Sequence, residues 1–413
     1  MKTEIEFVVK RILSHQKIGK EPIEKIINDY CNNILTDEEF LLVVKAIYDY
    51  DICDEDLFYL TDAMKNSGQV LDLSSLGKVV DKHSTGGVSD TTTLIIAPIC
   101  ACLGVKMLKM SGRALGFTGG TCDKLECFTG YKTDLELNHA LELVKQNGAC
   151  VITSSLNIAP ADKKIYALRD KTGLVDSIPL IASSIMSKKL ASGANDIVLD
   201  VKYGNGAFMQ TKKGAKLLAK KMKAIGKLAG KNIKIVYGKM DEPLGYNIGP
   251  RLEAKEALEV LSGAKNSLQK ESIRLASHCV ALYKKLPYLI AKMQVKRVLK
   301  SNSALEKFKQ MVTAQGGSTE LFEQKIPTAE FVIYSQENGK FNFTNTKKIG
   351  QIVADLTHEC GAEYSKRNFV GIVSKCKNKK LVKNGDPLFD IYCKTTEQGE
   401  RIKQELSSCY EII

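Results

Sequence analysis

Val79-Val-Asp-Lys-His-Ser-Thr-Gly-Gly-Val-Ser-Asp90 is the stretch that decides the fold. Val79 and Val80 end a short strand pattern, a turn rich in glycine and hydroxyls follows, and apolar residues from about Asp90 to Leu103 read as a helix. Glycine lets a backbone approach a ligand closely, and the unsatisfied N–H groups at a helix start favour an anion. The same order then recurs. A strand is expected at Val105–Met110, followed by the loop Ser111-Gly-Arg-Ala-Leu-Gly-Phe-Thr-Gly-Gly-Thr121. A helix over about Leu135–Asn147, stopped by Gly148, leads to a strand at Cys150–Thr153. Strand–loop–helix alternation of this kind implies an α/β fold with a mixed, largely parallel sheet. Loops that follow neighbouring parallel strands converge at the carboxyl edge of the sheet, where such folds bind ligands. Lys82, Ser84, Thr93, Lys109, Ser111 and Thr121 give these two loops the cations and hydroxyls of a phosphate-sized anion pocket. The competing reading is an ordinary glycine turn beside a structural cluster of Arg113, Asp123 and Glu126, with Glu126 and Arg113 a buried pair. Neither GxxxxGK[ST] nor GxGxxG occurs in the chain.

Outward from this stretch the text changes character. Residues 1 to about 65 read as helices: Pro22 opens a segment with Ile23, Ile26, Ile27 and Tyr30 at helical spacing. Thr36 and Glu39 form a capping box, and a third helix runs from near Asp54 to Gly68. Helical text returns from about Ala161 to Leu190, then Asp196–Lys202 reads as a buried strand. A helix over Thr211–Ala229 presents Leu217, Leu218, Met222, Ile225 and Leu228 as its apolar stripe, a strand follows at Ile233–Tyr237, and helices occupy about Arg251–Leu286. From Phe331 the text is β-rich with one helix near Ile349–Glu359. These patterns predict a small all-helical domain (1–65 with 161–192), an α/β domain (75–155 with 195–330) and a β-rich C-terminal module packed on the latter (331–413).

The chain of 413 residues carries 60 Lys and Arg against 47 Asp and Glu, a net charge of +13 that favours anionic partners without choosing among them. The lysine-rich segment 211–231 has its lysines opposite an apolar stripe, which reads as a solvated amphipathic helix and not a nucleic-acid surface. The longest apolar run, Leu94–Val105, is shorter than the ~20 residues of a membrane span. The charged N-terminus shows no signal peptide, so a cytoplasmic location is expected. The 12 cysteines contain no CxxC pair and the five histidines no metal-ligand spacing, so reduced thiols are expected, with no zinc or iron–sulfur site.

Ser111-Gly-Arg-Ala-Leu-Gly-Phe-Thr-Gly-Gly-Thr-Cys-Asp-Lys-Leu-Glu126 resembles the signature of the thymidine and pyrimidine-nucleoside phosphorylases, closest to the pyrimidine-nucleoside branch. Asp81–Gly87, Tyr166–Asp170, Ser177–Leu180, Ser184–Lys188 and Asp200–Phe208 match further segments in order. The resemblance implies reversible phosphorolysis: a pyrimidine nucleoside and phosphate give free base and (2-deoxy-)ribose 1-phosphate. It implies a homodimer through the helical domain, an active site in the cleft between domains, and no organic cofactor, phosphate being a co-substrate. Carried onto this chain, phosphate meets Lys82, Ser84, Thr93, Lys109, Ser111 and Thr121. The base meets Arg169, Ser184 and Lys188, with His83 as proton donor and Arg169 and Lys188 stabilising the departing pyrimidine anion. A potassium ion is implied at Ser89, Thr91, Leu244, Asn247 and Glu256. Two residues depart from the family's usual pattern: Phe117 stands where histidine is common, and Ser89 where glycine is common. Alternatives are an anthranilate-type phosphoribosyltransferase and a non-catalytic nucleoside- or phosphate-binding protein on the same scaffold; nucleic-acid binding is a third.

Overall fold

The computed structural model describes residues 2–114, 116–153 and 157–413; Leu115, inside the second glycine loop, lies outside them. Compactness divides the chain into two units. One comprises Met1–Asp81, Ser154–Ile197 and Lys213–Ile235; the other comprises Lys82–Thr153, Val198–Lys212 and Val236–Ile413.

The first unit is built on helices at Lys2–Leu13, Lys20–Cys31, Asp37–Tyr50 and Asp54–Asn66, with Pro160–Thr172 and Ile178–Ala191 packed among them. Local chemistry sets the ends. Thr36 and Glu39 exchange hydrogen bonds with each other's backbone N–H groups in the expected capping box. Pro160 starts its helix, where its missing N–H is harmless, and Gly173 ends it in the left-handed conformation. The helix Lys212–Leu228 buries Ala215, Leu218, Ala219, Met222 and Ile225. Leu217 and Leu228, expected in that stripe, are exposed instead. Gly226 is buried on the same face, where the helix lies so close to Ile233 that a Cβ on it would come within 2.2 Å.

Five strands carry the α/β pattern: β1 Val80–Ser84, β2 Met107–Ser111, β3 Ala149–Thr153, β4 Asp196–Tyr203 and β5 Asn232–Lys239. β1, β4 and β5 form one sheet in the order β1-β4-β5, and β2 and β3 pair in parallel from Met107↔Ala149 to Ser111↔Thr153. The strand expected to stop at Val80 thus runs on through Lys82, His83 and Ser84. Its backbone donors are taken up in the sheet, so the glycine turn starts only after Ser84. In the second unit the long apolar run becomes the helix Thr92–Cys102, buried on every side down to Cys100, Pro98 included. A helix apolar all round is a core helix, here covered by Pro250–Leu261, Ser267–Lys284 and Ser303–Ala314. Among the described residues no helix is long and apolar enough to cross a membrane.

The C-terminal residues form a four-stranded sheet in the order Asn247–Ile248, Gly371–Ser374, Pro387–Tyr392, Phe331–Tyr334 and a three-stranded sheet centred on Gly339–Phe343. Pairing of Asn247 and Ile248 with Val373 and Ile372 places this β-rich part in the same compact unit. Helices at Ala362–Arg367 and Thr396–Leu406 accompany Thr346–Cys360, where the sequence reading expects one helix only. Phe117 is 5% exposed in the apolar cluster of this region, its ring 4.9 Å from that of Phe208. In this chain the departure from histidine makes position 117 a core position.

Candidate active site

In the second unit the end of β1, the turn after it and the start of the helix Thr92–Cys102 are tied together by one carboxylate. Asp90 accepts from the Ser84 hydroxyl at 2.6 Å and from the Thr92 hydroxyl at 2.6 Å. Thr92 in turn accepts from the Lys82 ammonium at 2.7 Å. Lys82 is 2% exposed and stands 3.6 Å from the fully buried Asp200, which pairs with Lys202 at 2.8 Å. Burial raises the Asp90 pKa, but the charges of Lys82 and Lys202 and the two hydroxyl bonds outweigh it and hold the group well below the usual carboxylate range. Burial acts on Lys202 in the opposite sense and is outweighed by Asp200, Asp90 and Glu271, so that ammonium stays protonated. The turn itself needs Gly86, which has φ +94°.

The second glycine loop meets this network through Lys124, whose buried ammonium donates to the Asp90 carbonyl at 3.0 Å and pairs with Glu253 at 2.6 Å. Thr121 opens the short helix that carries Lys124. A Cβ at Gly120 would fall 2.3 Å from the backbone of Arg113 and Ala114, so the loop closes on itself only with glycine there. Lys109 and Ser111 lie on β2, Lys109 buried with its ammonium on the Met110 carbonyl at 2.7 Å. Thr93 is buried one residue into its helix. His83 sits between Lys82 and Ser84 on β1, and strand alternation sends its side chain to the opposite face from theirs. Arg113 does bind Glu126, through two bonds of 2.8 and 2.9 Å, but its side chain is 54% exposed, so the expected buried pair is half solvated. Lys366 and Thr133 also reach Glu126.

In the first unit Arg169, Ser184 and Lys188 occupy two adjoining helices. Ser184 and Lys188 are one turn apart, and the Lys188 ammonium lies 2.6 Å from Asp162 and 3.5 Å from the Ser184 hydroxyl. Arg169 is 1% exposed. The reason is local: past Gly173 the chain turns back, and the guanidinium fastens the Leu174 and Val175 carbonyls at 3.1 and 2.6 Å. The neighbouring Lys189 points the other way, into a 2.8 Å contact with buried Asp81.

The five residues implied for potassium come together in the second unit, with their polar side chains and the Leu244 and Asn247 carbonyls in internal hydrogen bonds. Ser89 has φ 60° and its hydroxyl donates to the Asn247 carbonyl at 2.7 Å while accepting from the Gly245 N–H at 3.0 Å. Thr91 donates to Glu253 at 2.6 Å. Glu256 accepts the Tyr246 and Asn247 N–H groups and the Asn266 amide within 3.0 Å. The Leu244 carbonyl accepts from Ser267 at 2.5 Å and from the Lys377 ammonium at 3.4 Å. Burial raises the Glu256 pKa and lowers that of Lys377.

Asp90, Thr92, Lys124, Asp162, Asp200, Lys202, Glu253 and Lys377 are among the members of these networks without a role in the sequence analysis. Asp90 had a signal: a carboxylate two residues ahead of a helix, behind a Ser-Thr-Gly-Gly turn, is placed to cap and to collect hydroxyls.

Residues 76–303 match the glycosyl transferase family, a/b domain. Over 96% of its length the chain is 42% identical to a pyrimidine-nucleoside phosphorylase of Staphylococcus haemolyticus, covering 94% of that protein. The pyrimidine-nucleoside phosphorylase of Bacillus subtilis is 40% identical over 99% of the chain and 95% of its own length. The chain belongs to the pyrimidine-nucleoside phosphorylase family. That of Geobacillus stearothermophilus is 41% identical over 97% of the chain and 94% of its own length. Among solved structures, anthranilate phosphoribosyltransferase from Thermus thermophilus superposes with a TM-score of 0.60 at 16% identity, covering 75% of this chain and 99% of that one. That likeness shows the fold, which the expected α/β architecture with a helical part fits; the identity and coverage of the phosphorylases decide the family.

Proposed function

We propose that the protein catalyses reversible phosphorolysis of pyrimidine nucleosides, with phosphate and the nucleoside as substrates and free base and (2-deoxy-)ribose 1-phosphate as products. The observation that carries this reading is identity of about 40% to pyrimidine-nucleoside phosphorylases over nearly the whole chain. The reaction exchanges one bond for another at the anomeric carbon. A phosphate oxygen bonds to that carbon, and the electron pair of the broken C–N bond leaves on the pyrimidine.

Lys82, Ser84, Thr93, Lys109, Ser111 and Thr121 are proposed to hold phosphate. What supports this is the Lys82–Thr92–Asp90–Ser84 chain, which fixes a cation and a hydroxyl on one side of β1. Arg169, Ser184 and Lys188 are proposed to face the base, and His83 to protonate a base oxygen. Lys188 is 43% exposed at its side chain and oriented by Asp162, so its ammonium reaches solvent-borne ligand while held in place. Arg169 spends two of its five donors on its own helix end and retains the others. Donors aimed at the developing pyrimidine anion bind it more strongly than the neutral substrate, which is what accelerates the step.

Homodimerisation through the helical unit and a cytoplasmic location belong to the same proposal. Exposed Phe7, Leu13, Leu42 and Tyr50 on the first and third helices support the first, and twelve free cysteines, most of them buried, support the second. Light scattering on the purified protein tests the dimer.

Incubation with uridine and with thymidine, each with and without phosphate, tests the activity. Base released only with phosphate is the expected result. Base released equally without phosphate means hydrolysis, and binding without release means a non-catalytic protein; either result overturns the proposal.

A further inference from the structure

A monovalent cation in a protein replaces its hydration shell with several oxygen lone pairs that face one point. Several of the oxygens implied for such an ion here already serve internal hydrogen bonds. The Ser89 hydroxyl occupies the Asn247 carbonyl, and the same hydroxyl takes the Gly245 N–H, so one side chain bridges the 89–91 turn to the segment 243–247. Position 89 has φ 60°, where glycine is unstrained and serine is not; the serine is held there with both its hydrogen bonds made. On the far side of the same segment the Lys377 ammonium donates to three successive carbonyls, those of Pro243, Leu244 (3.4 Å) and Gly245 (2.7 Å), and lies 4.8 Å from the Tyr246 ring centre. A second ammonium, that of Lys124, holds the Asp90 carbonyl and the Glu253 carboxylate to which Thr91 donates.

Of the buried carboxylates here, Glu253 pairs with Lys124 at 2.6 Å and Glu256 is held by the Tyr246, Asn247 and Asn266 N–H groups. A metal cation would have to displace the Ser89 hydroxyl from the Asn247 carbonyl and the Lys377 ammonium from the Leu244 carbonyl. The residues therefore do not fit the potassium ion that the family resemblance implies.

We propose that Lys377 and Ser89 stand in for the monovalent cation: the ammonium and the hydroxyl together fasten the segment 243–247 to the 89–91 turn, so that folding and turnover need no potassium. The turn concerned is the one that presents Asp90, and through it Ser84 and Thr92, so the clamp also fixes the phosphate loop.

Thermal melts of the full chain in potassium chloride and in tetramethylammonium chloride at equal ionic strength test this without any appeal to activity. The wild type is expected to melt at the same temperature in both. A melting temperature that climbs with potassium concentration and saturates overturns the proposal, since it reports a bound ion. Lys377→Met, and Lys377→Met with Ser89→Gly, are expected to melt lower in tetramethylammonium and to recover with potassium. Variants that melt like wild type in tetramethylammonium, or that fall and gain nothing from potassium, count against the stand-in role. If neither variant folds, the wild-type comparison alone decides. A protein inactive towards uridine leaves these melts unaffected, so failure of the proposed activity and failure of the clamp are separately visible.

Discussion

Arg169 and Lys188 are both proposed to face the pyrimidine, yet they are held in opposite ways. Arg169 is buried and doubles as the fastener of its helix end. Removing it deletes two charge-assisted hydrogen bonds along with packing, so Arg169→Ala is expected to destabilise the protein by ~3 kcal/mol as well as to abolish turnover. Lys188 keeps a partly exposed ammonium against Asp162. Lys188→Ala is expected to lower kcat/KM by ~10²–10³, the scale of a lost transition-state donor, with a much smaller drop in melting temperature. Steady-state kinetics beside thermal melts separate the two, and equal melting losses would contradict the assignment. Glu126 gives a pH test. Burial raises its pKa, but Arg113, Lys366 and Thr133 outweigh burial and hold it at about 2, below the ordinary 4.5. A carboxylate depressed on folding adds stability above its unfolded pKa, and that stability is lost as pH falls toward the folded value. The wild type should therefore exceed Glu126→Gln in melting temperature by a constant margin above about pH 5, a margin that shrinks as pH falls from 4.5 toward 2. A margin independent of pH would show that the carboxylate is not held by charge. At this scale the sequence shows which residues carry charge and hydroxyls, but not where each points. Lys188 and Lys189 are adjacent in sequence, and only the fold sends one to Asp162 and the other to Asp81.

Elements were legible where a local signal decides them. Thr36 with Glu39 and Gly148 after Asn147 set helix ends in sequence and in structure alike. The helix Thr396–Leu406 had such a signal too, in Thr395 with Gln398, whose capping box the structure contains. Other boundaries depend on partners distant in sequence. β1 extends through Lys82–Ser84 because β4 is there to pair with it, and nothing within ten residues of Lys82 announces that. The buried face of Lys212–Leu228 is likewise set by its neighbour: Gly226 lies against Ile233, and the face centred there takes Leu218, Met222 and Ile225 inward and leaves Leu217 and Leu228 outside. Gly226→Ala is expected to destabilise by ~1–3 kcal/mol through overpacking, despite the better helix propensity of alanine. Ile233→Ala in the same chain should return part of that loss. Urea unfolding of the single and double variants measures both, and a stabilising Gly226→Ala would refute the close approach.

On the scale of the molecule, the net charge of +13 is a surface property, because the buried cations are matched by buried carboxylates. Lys82, Lys109, Lys124, Lys189 and Lys202 are all buried, and four of them lie against Asp200, Glu253 or Asp81. Composition alone leaves nucleic acid open as a partner. The fold directs these five cations inward, into the networks that order the two glycine loops and the helix of Lys188. Fold class and family were legible because the glycine loops come in order after strands and because the signature segments span the chain. The internal carboxylates that orient the cations were not, since Asp90, Asp162 and Asp200 acquire their partners only on folding. In the proposed reaction phosphate is the nucleophile on a pyrimidine nucleoside. A phosphorus-31 NMR time course with uridine and inorganic phosphate tests it most directly. One ribose 1-phosphate is expected for each uracil released, with the reaction reversed by added uracil. Uracil appearing while the inorganic phosphate signal stays constant would contradict it.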